Sequence, residues 1–545
     1  MGLYAQEKIT FNFNKTKVSS ALNYLIDKHN LTIVYPSDID EYTDSSVCEN
    51  CDREEALLSV LKGTNLAFEK FENQFVVYFE KPKTVFSLFG RCIDKESGEP
   101  IYYANIHIPH LNIGDISNQN GVFWIPRVSK DLCTLVVSYI GYETVIKELT
   151  FPKDENMFHE IKLNPKIISS DEISILGSNR EFMDDSNIPG QISFSPKHVS
   201  TLPNLGEVDI FRSIQYLPGV QLALGSTSNL YIRGGSPDQN LITLDGMTLY
   251  QTSHMFGFLS SISKEAIKDV QIFRGHIPAN FGGRTSSVIE LMSRSGNNYK
   301  YGGSLYGNLM SSGISAEIPI LKKGSAIVNF RKSRPSNQFS KVYESIEKYM
   351  TVNNKFNLIT ETGEQNLNQN TKYDLFSSYE DFFNRFSYLI NSKHRATFTL
   401  ISSSDSIFED RSYYGFSNIL ESDTAYIEEK NSFKNLGQSI NIYSQWNNKY
   451  STQLSISNYS YENNYSSIQS SPQINNISIV GTANKFYSLS DHSIRFVQQY
   501  RNMKNHNLSV GFEETYFSTH FKNKNTENSS LNTSFITQNG YLYSF

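Results

Sequence analysis

The sequence predicts a mainly β protein that opens with α+β parts and closes in a long run of amphipathic antiparallel strands. Three observations carry that expectation. Apolar and polar residues alternate at period two through much of the second half, as strands with one apolar and one polar face require. Aromatics reach 13%, with 33 Tyr and 36 Phe, and Ser and Asn crowd the same half, a mixture that suits β-structure bearing amphipathic rings at an interface. No run approaches the roughly 18 to 20 apolar residues of a membrane helix, so any span of a membrane has to be made of strands.

At 545 residues the chain calls for several units. Lys+Arg 49 against Asp+Glu 55 leaves a net charge of −6, which offers no basic face to nucleic acid. Gly2-Leu3-Tyr4-Ala5 before Gln6 reads as the tail of a secretory signal peptide or as an ordinary disordered start. Cys48 and Cys51 form a Cys-x-x-Cys without a second pair, so a local disulfide or two plain thiols is expected rather than a metal site. Cys92 and Cys133 are expected as small buried apolar residues.

Residues 7–80 alternate strand and helix signals. Ile9, Phe11 and Phe13 repeat at period two, Val18, Leu22, Leu25 and Ile26 at helical spacing, and Thr32 to Tyr35 read as a strand. A second round follows: Ala56, Leu57, Val60 and Leu61 form a helical stripe behind Asp52, Glu54 and Glu55, Gly63 stops it, and Phe75 to Phe79 make a strand. This β-α-β pair, through "ALNYLIDKHNLTIVY" and "EEALLSVLKGTNLAFE", resembles the short N-terminal domain shared by secretins and signalling TonB receptors.

After Lys81-Pro82-Lys83 the texture becomes purely β. Over 84–164, strands break at Ser97-Gly98, Asn120-Gly121 and Gly141, residues that tolerate tight turns. The pattern resembles the carboxypeptidase-regulatory-like β-sandwich. No His-Glu-x-x-His occurs, so no zinc peptidase is expected, and His107 and His110 are read as structural. Residues 165–195 form a linker interrupted by Pro165, Gly177 and Pro189. Within it, Asp171, Glu172, Ile173, Ser174 and Ile175 alternate in a way that lets a tether add an edge strand to a partner sheet. They resemble the TonB box; a linker with incidental strand propensity is the plainer reading.

The most specific resemblance spans 196–296. The Leu-Pro-Gly-Val turn at 217–220, Ile-Arg-Gly-Gly at 232–235, Leu-Asp-Gly at 244–246, Ile-Lys-Asp-Val-Gln-Ile at 267–272, Arg-Gly at 274–275 and Phe-Gly-Gly-Arg at 281–284 follow one another as in the plug of TonB-dependent receptors. Strands are expected at 230–232, 241–244 and 270–273, and a short helix closing at Ala266-Ile267-Lys268. Gly234, Gly235, Gly246, Gly275, Gly282 and Gly283 allow positive φ or a close approach to a wall. Arg233, Arg274 and Arg284, beside those turns, are expected to reach carboxylates of a surrounding barrel, with a solvated loop charge as the rival reading; Asp245 belongs to the same motif series. No phosphate-cradling glycine loop is present.

From 297 to 545 short alternating segments recur, such as Ile314, Ala316, Ile318 and Ile320, Ala396, Phe398 and Leu400, Leu454 and Ile456, and Leu508, Val510 and Phe512. The plug upstream makes them a partial antiparallel transmembrane β-barrel rather than a sandwich. Plugged transporters of this kind have about 22 strands, whereas 300–545, with long loops such as 353–372, holds material for on the order of ten. An open edge in lipid leaves backbone groups unpaired, so these strands alone should not insert stably, and Phe545 is read as a cut within a strand.

The resemblance implies an outer-membrane receptor with periplasmic N-terminal domains. It would import a scarce small-molecule or oligomeric nutrient with the TonB complex as partner, and no cofactor is expected. The first domain further implies reporting to an anti-sigma factor. The plug lacks the Lys-Asp-Ala-Ser-Ala stretch of starch-utilisation receptors, having "FRGHIPANFGG" at 273–283, which turns the substrate expectation toward a ferric siderophore or similar chelate, with oligosaccharide or peptide uptake, or a chiefly surface-signalling role, as alternatives. No nucleophile, base and orienter can be assembled from motifs, so no enzyme is expected.

Overall fold

The computed structural model describes residues 8–37, 39, 46–71, 74–79, 85–129, 132–150, 158–166, 183–185, 190–196, 208–222, 229–254, 257, 259–308, 310–333, 357–360, 363–366, 372–414, 424–447, 449–473, 476–502, 506–527 and 530–544. The chain divides into two compact units, Met1–Val85 and Phe86–Phe545.

In the first unit, Val18–His29 is a helix whose Val18, Ala21, Leu22 and Leu25 are buried at three- and four-residue spacing. It ends at Asn30, which takes the left-handed conformation. The helix Arg53–Leu61 starts in a capping box in which Asp52 and Glu55 bond each other's backbone. Both helices bury their apolar faces with Ile9, Phe11, Ile33, Phe75 and Val77. Thr32–Val34 runs parallel to Gln74–Phe79, which pairs with Leu66–Phe71, while Ile9–Phe13 pairs with Ser46–Cys51. Cys48 and Cys51 are joined as a disulfide. The strand Ser46–Cys51 is not legible in the sequence, because "SVCENC" shows no apolar alternation.

The second unit begins with a β-sandwich. One sheet orders Val145–Thr150, Leu132–Ser138, Asn105–Ile108 and Ile113–Ile116; the other orders Phe158–Leu163, Val85–Asp94 and Val122–Ser129. Leu88, Ile101, Ile106, Phe123, Leu135 and Leu163 fill the space between them. Cys92 and Cys133 are buried free thiols, and burial raises both above the usual thiol value. His107 lies in a strand and His110 in a 3-10 turn.

Next comes a six-stranded sheet ordered Met183–Asp185, Gln191–Phe194, Ile267–Arg274, Ser287–Ser293, Asn240–Leu244 and Met247–Thr248. The expected helix closing at Ala266-Ile267-Lys268 is instead a 3-10 turn, Lys264–Ala266, after which Ile267 starts the strand. Ile267 pairs with Ser293, so sheet pairing overrides the local helical signal.

The remainder is a ten-stranded sheet in chain order from Gly302–Gly307 to Ser530–Ser544, antiparallel throughout. Residues 353–372, expected as a loop, contain the hairpin Asn357–Thr360 and Gly363–Asn366. Along His394–Tyr414 the residues Arg395, Thr397, Thr399, Ile401, Ser403, Asp405, Ile407 and Glu409 are buried. The intervening positions of the same strand, among them Ala396, Phe398 and Leu400, are half-buried, and Phe408 is 39% exposed, as an inward and a lipid-facing side of one strand demand. Ile327, Phe383, Ile401 and Tyr459 of this wall belong to the same apolar cluster as Ile192, Ile232, Leu244, Ile272 and Leu291. The glycine-punctuated domain therefore shares its core with the wall. Among the described residues no helix is long and apolar enough to cross a membrane.

Candidate functional site: the clasp between plug and wall

Leu244 pairs with Met247 across a two-residue turn in which Asp245 has φ 48° and Gly246 φ 88°. Two positive φ values define the tight hairpin turn for which Asp-Gly is the favoured sequence. The turn delivers the Asp245 carboxylate to two wall strands and its carbonyl to a third. Arg385 Nη1 donates to it at 2.7 Å and Thr399 Oγ1 at 2.7 Å, while Asn441 Nδ2 donates to the Asp245 carbonyl at 3.1 Å. Ser293 of the plug's own sheet adds its backbone N–H at 3.1 Å and its hydroxyl. An ionised acceptor holding an arginine and several further donors is among the stronger polar arrangements available to side chains.

A second clasp has the opposite polarity. Ser253–His254 and Leu259–Ser260 form a short hairpin, which places His254, 1% exposed, against the wall. His254 Nε2 lies 2.8 Å from Asp381 Oδ1 and Nδ1 lies 3.6 Å from Asp405 Oδ2. Its ring stacks on Tyr379 at 4.3 Å between centroids. Arg331 Nε donates to Asp381 at 2.8 Å, and Nη2 donates to the Ser260 carbonyl at 2.7 Å. Burial by itself lowers the imidazole pKa, but Asp381 and Asp405 outweigh it and raise it to about 9. Ser260 N–H also donates to Asp209 at 2.7 Å, and Asp209 caps the short helix Ile210–Ile214 through Arg212 N–H at 2.9 Å. Tyr250 adds a third contact, donating to wall Asp491 at 2.6 Å.

The sequence-derived arginines lie elsewhere. Arg233 and Gly234 form another positive-φ pair, φ 49° and 81°, closed by Gly235 N–H donating to the Ile232 carbonyl at 3.0 Å. Gly275 sits at φ 80°, a backbone conformation that favours glycine, and the Arg233 guanidinium lies across it, 1.9 Å from where a Cβ would stand. At Gly235 the constraint is close approach instead: an added Cβ would stand 2.3 Å from Ser286 Oγ and 2.5 Å from its Cβ. Arg274 donates to the Pro218 carbonyl. Gly282, Gly283 and Arg284 lie in an exposed stretch. The arginine in the observed clasp belongs to the wall and the carboxylate to the plug, the reverse of the expected polarity. Asp171 to Ile175 lie outside the described residues. Arg385, His254 and Asp381 gave no sequence signal; Thr399 stood on a polar strand face, with nothing to mark it as a clasp residue. Among the described residues no group of three His, Cys, Asp or Glu side chains is placed to hold a metal ion.

A small sheet domain seated against amphipathic strands and held there by buried polar clasps is the arrangement of a plug in a barrel wall. Residues 194–288 match the TonB-dependent receptor plug domain, and residues 88–175 match the CarboxypepD_reg-like domain. The chain thus carries a TonB-dependent receptor plug domain preceded by a CarboxypepD_reg-like domain. The CarboxypepD_reg-like match ends at residue 175 and so takes in Asp171 to Ile175. No curated protein matches the sequence. Among solved structures, the ferric-catecholate import receptor Fiu from E. coli K12 is 11% identical with a TM-score of 0.40, covering 65% of this chain and 66% of that one. The ferric yersiniabactin uptake receptor FyuA from Yersinia pestis is 9% identical with a TM-score of 0.36, covering 65% and 60%. FpvA of P. aeruginosa is 8% identical with a TM-score of 0.31, covering 99% and 69%. The chain thus spans just under two thirds of the first of these receptors.

Proposed function

We propose that this chain is the plug-bearing part of a TonB-dependent importer of a ferric siderophore or similar chelate. The observation that carries the import reading is the pair of clasps at Asp245 and His254. They fasten a small domain across an amphipathic wall through polar contacts that can be broken and remade, as a gate needs and a permanent core does not. In this reading TonB takes Asp171 to Ile175 by edge-strand addition and draws on the plug. The chelate assignment rests on the plug sequence, which departs from that of starch-utilisation receptors; oligosaccharide and peptide are the competing substrates. Residues 7–80 then report the loaded state to an anti-sigma factor.

Deleting the gene should abolish growth on the chelate under iron limitation, and Ile173→Pro, which cannot pair as a strand, should do the same with normal outer-membrane amounts of protein. Undiminished growth in both cases refutes the assignment. Deleting residues 1–80 should leave uptake intact and silence induction of the target genes.

A further inference from the structure

The middle strands of the plug sheet, Ile267–Arg274 and Ser287–Ser293, are covered by the β-sandwich. Glu99 of the sandwich accepts the Ser295 N–H at 2.5 Å and pairs with Lys268 at 3.1 Å, and Lys268 also donates to the Pro100 carbonyl at 2.7 Å. Gln119 and Tyr103 reach Glu290 at 3.4 and 3.5 Å, and the Tyr103 ring meets Phe273 edge-on at 6.4 Å. Beneath this cover two plug carboxylates, Asp269 at 2% and Glu290 at 5% exposure, are closed off from water. Burial pushes Asp269 up to about 6 and Glu290 up to about 7.

The same sandwich face is tied to the wall. Arg91 donates to the Ser392 carbonyl at 2.9 Å, Asn118 to the Tyr443 hydroxyl at 3.0 Å, and Gln453 to Gln119 at 2.7 Å. Asn298, in the connector from plug to first wall strand, donates its N–H to the Ser97 carbonyl at 2.9 Å. Ser392 and Tyr443 lie at the end of the wall where strands join through short turns, the end that faces the periplasm in barrels of this kind.

We propose that the β-sandwich is a lid on the periplasmic face of the plug, and that it has to leave the wall before the plug can move toward the periplasm. The proposal rests on the import reading for its purpose but not for its geometry: a plug drawn toward the short-turn end enters the volume the sandwich fills. Undocking also returns Asp269 and Glu290 to water, which removes the burial that raises both carboxyls.

The test is mechanical. The full protein, its wall held in a micelle on a surface, is pulled through a peptide tag inserted at Ser178. The wild type should give a small first release, the lid leaving, followed by extension of the plug. Joining Ser97→Cys to Asn298→Cys should remove both steps at forces that extend the reduced protein. The short backbone contact there sets a Cα separation suited to a disulfide. Glu99→Ala should make the first release at least tenfold faster at a given force. Plug extension at unchanged force in the oxidised double variant overturns the proposal, and so does an unchanged first release in Glu99→Ala, which decides alone if the double variant does not fold. These traces involve neither nutrient nor TonB, so a failure of the import reading in growth assays leaves them standing and is seen separately.

Discussion

Asp245→Asn tests the clasp at its centre. The substitution keeps the shape and the tolerance for positive φ that the turn at 48° and 88° demands, so the hairpin should survive. It removes the charge that faces Arg385 at 2.7 Å and leaves a largely buried guanidinium beside a neutral amide. Breaking a buried pair outright costs about 3 to 5 kcal/mol. Because the amide oxygen still accepts from Thr399 or Arg385, the loss should fall nearer the about 1.5 to 3 kcal/mol of one charge-assisted bond. At roughly tenfold per 1.4 kcal/mol, opening of the plug should become on the order of 10- to 150-fold more frequent. Native-state hydrogen exchange of amides in Asn240–Leu244 and Ser287–Ser293, in the receptor held in detergent, measures it directly. Combined with Arg385→Gln, the two losses should not add, and a coupling of at least about 1 kcal/mol is expected. Additivity within about 0.5 kcal/mol, or unchanged exchange in Asp245→Asn, would show that the pair does not hold the plug.

Three further outcomes follow from the same geometry. His254 is raised from 6.5 to about 9 among Asp381, Asp405, Arg331 and Tyr379, so its contribution is complete below pH 6.5 and disappears as pH rises through 9. After division by the intrinsic base-catalysed rate, plug opening should become more favourable over that window, by about 3 kcal/mol, and His254→Asn should flatten that corrected profile; a corrected wild-type profile level to pH 10 contradicts the assignment. Glu290, raised from 4.5 to about 7, favours the closed state while protonated and loses that contribution as pH climbs from 4.5 through 7. Glu290→Gln should therefore melt higher than wild type at pH 8, by up to about 3 kcal/mol, and equally at pH 4; equal melting at both values refutes it. Gly121, at φ 73°, has room for no Cβ, which would stand 2.3 Å from the Cys92 carbonyl oxygen. Gly121→Ala should cost the sandwich about 2 kcal/mol or more, lowering its melting temperature while the Asn240–Leu244 amides keep their exchange rates.

What could be read in advance was local. Asp245-Gly246 announces a tight hairpin, Asp52 and Glu55 announce a helix start, and the alternation of Leu508, Val510 and Phe512 announces a two-faced strand, because each needs only near neighbours in the chain. The partners of the clasp lie 140, 154 and 196 residues from Asp245, and the carboxylate that His254 meets, Asp381, lies 127 residues away. No periodicity links such positions; only the register of the wall brings them to one level. For the same reason Arg385 carries no mark in the sequence, although the arginines of the glycine turns do. A charged side chain beside a turn is visible in the sequence, but whether the wall opposite is acidic or basic is not.

Asp381 and Arg385 lie on the same face of one wall strand, four residues or about 13 Å apart along it. One meets a plug cation and the other a plug anion. Sliding the plug by that spacing toward the long loops would set Asp245 against Asp381, and sliding it the other way would set His254 against Arg385. Either misalignment places like charges together, at about 4 kcal/mol for 4 Å in a partly screened interior. Displacement by that spacing is thus opposed in both directions, and the alternating charges set the height at which the cork comes to rest.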